Sequence, residues 1–268
     1  MRQLTENDRA AVLEYVGVEP EVNIFFIGDV ENFGVDCAEV SIWAFGQGAP
    51  WDSVVLRYTN DYVVYSRNAG YDAGQVASFL KTKDVGMISG KYEIVARLEA
   101  YFPERRLRSM FLTKCHAVKA GFDTPDGCEI RALTAGDAET LADLLTGVDE
   151  FSASYHDRET TVTKLRTSLG CGSTCCGAFV DGALVSCAQA TAENSKSAMV
   201  VGVATRADVR GRGFASAVVS SLCRESFRKG KAFLCLFYDN PAAGRIYNRI
   251  GFEPFGKYAL FEKDNIGE

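Results

Sequence analysis

The pattern Arg-x-Leu-Thr-x-x-Asp occurs twice in this chain, as Arg2-Gln-Leu4-Thr5-Glu-Asn-Asp8 and as Arg131-Ala-Leu133-Thr134-Ala-Gly-Asp137. In each copy a threonine stands three residues before an aspartate, which is capping-box spacing, and an apolar-periodic helix follows. The second copy begins almost half a chain after the first. A repeat of this reach constrains the architecture more than any local pattern does, and it predicts one fold written twice. The 268 residues suit two domains of ordinary size. Between the copies, Gly121-Phe-Asp-Thr-Pro-Asp-Gly127 is dense in turn formers and reads as a linker. The expected division is therefore 1–123 and 124–268.

Each half yields a similar series of elements. In the first, a capped helix carries Val12, Leu13 and Val16 on one face. Pro20 is placed to open a second helix that holds Ile24, Phe25, Phe26 and Ile27 and ends at Gly34. Strands are expected over 39–45, 53–58 and 62–66, then a helix capped by Asp72 and burying Val76, Phe79 and Leu80. A helical stripe of Ile94, Leu98, Tyr101 and Phe102 closes at Pro103, and 107–114 reads as a strand. In the second half, helices are expected over 138–145 and 158–169, with an irregular segment at 150–156 between them. A hairpin of 175–180 and 183–191 turns at Asp181-Gly182, and 197–205 is the next strand. A helix follows Gly213 with Val218, Val219, Leu222 and Cys223 on one face. The continuous apolar run 232–238 reads as a strand buried on both sides. Asn240-Pro241 is an N-cap with proline at the first helical position, and 257–262 is a closing strand. The class is α+β in layers: a mixed, mostly antiparallel sheet with helices on both faces.

Chemistry concentrates at 200–215, which reads as a buried strand, a short loop, then a glycine-bearing turn opening a helix. Arg210-Gly211-Arg212-Gly213-Phe214-Ala215 fits R-x-x-G-x-A. Such a turn leaves the first backbone N–H groups of the helix unpaired, and with the helix dipole they suit a phosphate. The same glycines also serve where a tight turn is all that is needed.

The order of hairpin, strand, R-x-x-G-x-A helix, buried strand, Asn-Pro helix and Tyr247-x-x-x-Gly251-Phe252 strongly resembles the GNAT superfamily of acyl-CoA-dependent N-acyltransferases. The residues that carry it lie within 201–215 and 240–252, and the clear resemblance covers about 129–263. The first half is similar only in its opening motif and element order. The resemblance implies two GNAT-like domains in tandem, with acetyl-CoA or another acyl-CoA as co-substrate. Its pyrophosphate is expected on the amides of Gly211, Arg212, Gly213, Phe214 and Ala215, with the charges of Arg210 and Arg212. The pantetheine arm is expected to pair with Val201 and Val203 as an added strand and to reach Asn240. Gly202 is expected to admit the thioester, and strands 197–205 and 232–238 to splay. A free amine then attacks the thioester directly, near N–H groups that stabilise the oxyanion. Tyr247 matches the family's general acid; it also suits plain packing under the sheet. Asn240 also suits a simple N-cap.

The amine needs a base. Glu150 is taken for that role, with His156 and Glu193 as further candidates from the segments that line acceptor pockets in the family. His116 is assigned a structural or linker-facing role. In the first half, Arg67-Asn-Ala-Gly70-Tyr-Asp72 occupies the position of the phosphate turn, with an aspartate where glycine or alanine is needed. A carboxylate there repels phosphate, so the first domain is expected to be degenerate and cofactor-free, building the acceptor site or a dimer contact.

Charge and composition narrow the partners. The net charge of −6 counts against nucleic acid or an anionic membrane and suits a cationic amine, whether a small molecule or a protein. No apolar run approaches the roughly 20 residues a bilayer needs. The N-terminus has no signal or lipidation pattern, so a cytoplasmic protein is expected. The nine cysteines read as reduced thiols. Cys171, Cys175 and Cys176 lack the partners of a zinc site, so no metal is expected. The rival readings are a non-catalytic acyl-CoA sensor, a tandem transferase using aminoacyl-tRNA, and a generic nucleotide-binding domain. The acidic balance and the intact turn count against the tRNA-dependent one.

Overall fold

In the computed structural model the described residues are 1–48, 50–119, 124–148, 151, 155 and 157–263. The first half runs β1 (Arg2–Gln3), α1 (Arg9–Val16), α2 (Ile24–Phe33), β2 (Val40–Phe45), β3 (Ser53–Tyr58), β4 (Asp61–Tyr65), α3 (Ala73–Leu80), β5 (Ile88–Lys91), α4 (Tyr92–Val95) and β6 (Arg105–Cys115). The second half repeats that order as β7 (Cys128–Ala132), α5 (Ala138–Thr146), α6 (Arg158–Gly170), β8 (Cys175–Val180), β9 (Ala183–Thr191), β10 (Ser197–Thr205), α7 (Phe214–Arg228), β11 (Phe233–Tyr238), α8 (Pro241–Ile250) and β12 (Glu253–Lys263).

The two copies of the repeated motif have the same local structure. Arg2 donates to both carboxylate oxygens of Asp8 at 3.0 and 2.7 Å, and Thr5 N–H donates to the same group at 2.9 Å. Arg131 donates to Asp137 at 3.0 and 2.6 Å, and Thr134 N–H at 2.8 Å. In both, a short 3₁₀ turn follows the threonine and leads into a helix. The guanidinium and the amide hold the Asp8 carboxyl down to about 2, and the same pair holds Asp137 well below the ordinary range. Ion pairs this exposed contribute little stability. Their role is to fix the angle at which strand passes into helix.

The chain divides into two compact units that do not follow the linear order. One comprises Met1–Leu112, Phe237–Asp239 and Pro254–Glu268; the other comprises Thr113–Leu236 and Asn240–Glu253. In the first, strand order is β1-β2-β3-β4-β5-β12-β6. The pairs β1–β2, β2–β3 and β3–β4 are antiparallel, and β4–β5 is parallel. The expected closing strand exists, but it joins the first unit: Tyr258 to Phe261 pair antiparallel with Lys91 to Ile88. Arg105 donates to the Phe261 carbonyl at 3.2 Å, and Tyr258 shares a hydrogen bond of 3.3 Å with Ser89. Alternation along β2 separates two cores. Val40, Ile42 and Ala44 pack with Val12, Val16, Phe26 and Val30 of α1 and α2. Trp43 and Phe45 pack with Val76, Phe79 and Leu80 of α3.

The second unit has order β11-β10-β9-β8-β7. Neighbours are antiparallel except β10–β11, which is parallel. Leu141, Leu145, Val162 and Leu165 of α5 and α6 bury against Cys175, Leu184 and Cys187. Helix α7 lies along β8, β9 and β10 and buries Val218, Val219, Leu222 and Cys223. Helices therefore cover both faces of each sheet, as expected.

Two local expectations change. Pro20 lies in a turn, and α2 begins only at Ile24. Asn23 is buried there, donating to the carbonyls of Val16 and Glu19, and this fixed turn precedes the helix. Strand β5 has no counterpart among the expected elements.

Candidate functional site

Strand β10 carries a bulge at its centre. Val201 lies opposite Gln189, and the next pair is Ala204 with Cys187, so three steps on β10 match two on β9. The residue that absorbs the mismatch is Gly202, at φ +57°. A Cβ at Gly202 would overlap Gln189 Nε2. The positive φ at the bulge favours glycine, and a side chain there would have to displace the Gln189 amide, a reason the sequence reading did not contain. On the other side, β10 pairs with β11 only from Ser197–Phe233 to Met199–Cys235. The two strands part beyond that point, as expected from the resemblance. Val201, Gly202 and Val203 are half-exposed beyond the last β10–β11 pair, and the Gly202 carbonyl accepts from Cys187 Sγ at 3.4 Å.

The strand leads to the turn. Arg206 forms a two-point ion pair with Asp208 at 2.6 and 2.9 Å, and Arg210 Nε donates to the Thr205 carbonyl at 3.1 Å. Gly211 and Gly213 have φ of +79° and +90°, conformations that favour glycine. Gly213 is the N-cap of α7, a helix of 15 residues, and supplies no side-chain cap. The first helical bond is Ala217 N–H to the Gly213 carbonyl at 3.0 Å. The N–H groups of Phe214, Ala215 and Ser216 have no acceptor among the described residues. Phe214 is buried and anchors the turn, while Arg210 and Arg212 are exposed. Orphan donors, a helix N-terminus and two guanidinium groups form an anion cradle.

Tyr247 lies on α8, half-buried, its ring 6.1 Å from Phe252 in an edge contact. Burial pushes its phenol up to about 12, so it stays protonated throughout the neutral range. Asn240 caps α8, its Oδ1 accepting from Ala242 N–H at 2.8 Å. The cap uses the oxygen and leaves the amide NH₂ for other contacts.

The candidate bases divide. Glu150 and His156 lie outside the described residues. Glu193 is occupied: it accepts from Thr174 N–H at 3.0 Å and pairs with Lys231 at 3.6 Å. It sits in the β9–β10 turn, and at roughly 3.3 Å per residue the bulge begins about 13 Å along the strand from Ser197. His116 is exposed, with Nδ1 3.3 Å from the Ala232 carbonyl and its ring 5.9 Å from that of Phe233. Two residues that the sequence reading missed surround the bulge. Gln189 Nε2 is buried without a hydrogen-bond partner among the described residues. Tyr155 reaches the same glutamine, and burial pushes its phenol up. The one signal in the sequence was a glutamine within a strand whose other residues are mostly apolar or small.

In the first half the corresponding geometry is closed. Strand β4 pairs without a bulge from Tyr65–Val54 to Asp61–Tyr58. Arg67 is consumed by the carbonyls of Tyr15 and Glu14 and by the Tyr15 ring, 4.5 Å away. Asp72 caps α3, accepting from Gln75 N–H at 2.9 Å, and its own N–H donates to Asp52 at 3.0 Å. Two carboxylates thus stand where an anion would have to sit.

Among the described residues, no group of three or more His, Cys, Asp or Glu could hold a metal, and no helix is long and apolar enough to cross a membrane. Cys175 lies in the α5–α6 core, and neighbouring Cys176 faces Ser221 on α7.

Comparison with known proteins agrees with this geometry. Residues 143–252 match the model of the acetyltransferase (GNAT) family. No curated protein matches the sequence. Among solved structures, a GCN5-related N-acetyltransferase from Sphaerobacter thermophilus is 17% identical over 98% of this chain and 94% of its own, with a TM-score of 0.64. A GCN5-related N-acetyltransferase-like protein from Streptococcus suis 89/1591 is 16% identical over 96% and 98%, with a TM-score of 0.61. A tandem GNAT protein from the clavulanic acid biosynthesis pathway is 16% identical over 97% and 96%, with a TM-score of 0.59. Residues 143–252 thus match the acetyltransferase (GNAT) family, and the chain as a whole shares the fold of these solved structures, a tandem GNAT protein among them.

Proposed function

We propose that this chain transfers an acetyl or other short acyl group from acyl-CoA to a primary amine by direct attack, and that the second half carries out the reaction. The observation that supports this most is the half-exposed stretch Val201–Val203, beyond the last β10–β11 pair, running into the uncapped N-terminus of α7. The amides of Gly211 to Ala215 and the guanidinium groups of Arg210 and Arg212 hold the pyrophosphate. Val201 and Val203 hold the pantetheine amides, and the Asn240 side-chain amide adds a contact. Backbone N–H groups at the bulge face the developing oxyanion; a donor positioned in advance is worth about 3 kcal/mol. Glu150, by sequence position between α5 and α6, takes the amine proton. Tyr247 gives a proton to the departing thiolate. The first half, 1–123, is a degenerate copy that binds no acyl-CoA, because Asp72 and Asp52 occupy its turn.

Calorimetric titration with acetyl-CoA, followed by thiol release across a panel of amines, tests this reading. Binding with turnover on at least one amine is the expected result. Binding without turnover on any amine favours the sensor, and no binding removes the assignment.

Tyr247→Phe is expected to lower kcat roughly 10- to 100-fold and leave acetyl-CoA affinity within twofold. That is at or below the usual range for a general acid, because thiolate is already a fair leaving group. Single-turnover rates across pH check it, and an unchanged rate removes Tyr247 from the mechanism.

A further inference from the structure

Helix α2 presents a carboxylate that the reading above does not use. Asp29 is half-buried and makes no hydrogen bond or ion pair with any described residue. Burial alone pushes it up to about 7. It stands one helical turn after Phe25, on the same face. The Phe25 ring is 5.9 Å from Phe237 and 6.3 Å from Tyr258, and Phe237 stacks on Tyr258 at 4.5 Å. The charge of Asp29 also acts on the phenols of Tyr58 and Tyr258. All these residues belong to the first unit. Phe25 and Phe237 are only half-buried, whereas Tyr258, stacked on Phe237, is buried. An anion without a partner, set beside aromatic faces, matches one ligand chemistry in particular: an organic ammonium, by ion pair and cation–π contact together.

We propose that Asp29, with the half-buried rings of Phe25 and Phe237, binds an organic ammonium ion on the first unit. The chain's net charge of −6 favours the approach of such a cation.

Hexane-1,6-diamine titrated into the full chain without acyl-CoA, followed by calorimetry, tests the site. Wild type is expected to bind the diamine and not hexane-1,6-diol. Asp29→Asn is expected to weaken diamine binding at least about tenfold, the usual effect of losing a charged hydrogen-bond partner. Asp29→Glu is expected to recover part of it. Acetyl-CoA affinity should be unchanged in both variants, and thermal unfolding shows that each is folded. No diamine binding by wild type, equal binding by Asp29→Asn, or equal binding of the diol overturns the proposal. Because acyl-CoA is absent from the titration, failure here is distinct from failure of the acyltransferase reading, which acetyl-CoA binding and thiol release test separately.

Discussion

Gly213→Asp is expected to bind acetyl-CoA at least about 100-fold more weakly than Gly213→Asn, with both variants folded. Gly213 sits at φ +90° and ψ −6°, so any side chain there meets backbone strain. Asparagine and aspartate are the residues that best tolerate this region, and they have the same shape. Space is not the obstacle, since a Cβ would meet its nearest neighbour, Pro125 Cγ, at 3.9 Å. The two variants therefore share their strain and differ by one negative charge at the mouth of the cradle. Like charges about 4 Å apart near a protein surface repel by roughly 4 kcal/mol, and about 2.7 kcal/mol is a factor of 100. Salt reduces this, so titrations at low and physiological ionic strength should show the gap narrowing. Equal affinities for the two variants would falsify the assignment of the pyrophosphate to this turn.

Asp29→Asn is expected to stabilise the protein on the order of 2 to 4 kcal/mol at pH 8, and not at all near pH 4. The folded state holds the Asp29 proton up to about 7, against an ordinary 3.8. Below about pH 4 the carboxyl is protonated in both states and costs nothing. As pH rises from there to about 7, the unfolded chain releases its proton and the folded chain does not, so stability falls by about 1.4 kcal/mol per pH unit. The full penalty is present above pH 7, and the amide escapes it. No cation offsets the charge among the described residues. Tyr58 from β3 and Tyr258 from β12 face it as phenols that are themselves pushed up, and Glu39 and Cys37 act on Tyr58. Thermal unfolding at pH 4, 6 and 8 checks the prediction, with Tm gains of roughly 5 to 15 °C at the highest pH. A gain independent of pH would mean that packing, and not the charge, is the source. A side chain whose removal strengthens the fold and weakens amine binding is a cost retained for function.

Much of the fold was legible because its signals are local. The repeat could be read because the arginine, threonine and aspartate that make each cap lie within seven residues of one another. The α7 turn could be read because positive φ at Gly211 and Gly213 demands glycine, whatever the rest of the chain does. Strand β5 was not legible. Ile88-Ser-Gly-Lys91 has too little apolar alternation to signal a strand, and its place depends on Gly90, where a Cβ would overlap the Val64 carbonyl of the neighbouring strand. The partners of Glu193 were hidden for a similar reason: only the folded hairpin brings Thr174 and Lys231 to it. Asp29 gave no signal at all, since a single carboxylate on an amphipathic helix is ordinary.

The sequence by itself determined the repeated capping motif, the nearly complete order of elements in each half, and the glycine turn that opens α7. Backbone sterics, capping and side-chain period act over a few residues, so the chain states them wherever they occur. Tertiary structure alone decided which unit the last strand completes, which side chain lies against Gly202, and which carboxylates are left without partners. Each depends on residues far apart in sequence: Tyr258 against Lys91, Gly202 against Gln189, Asp29 beside Tyr258. Strand pairing and desolvation are set by what the fold brings alongside, and neither leaves a local pattern in the chain.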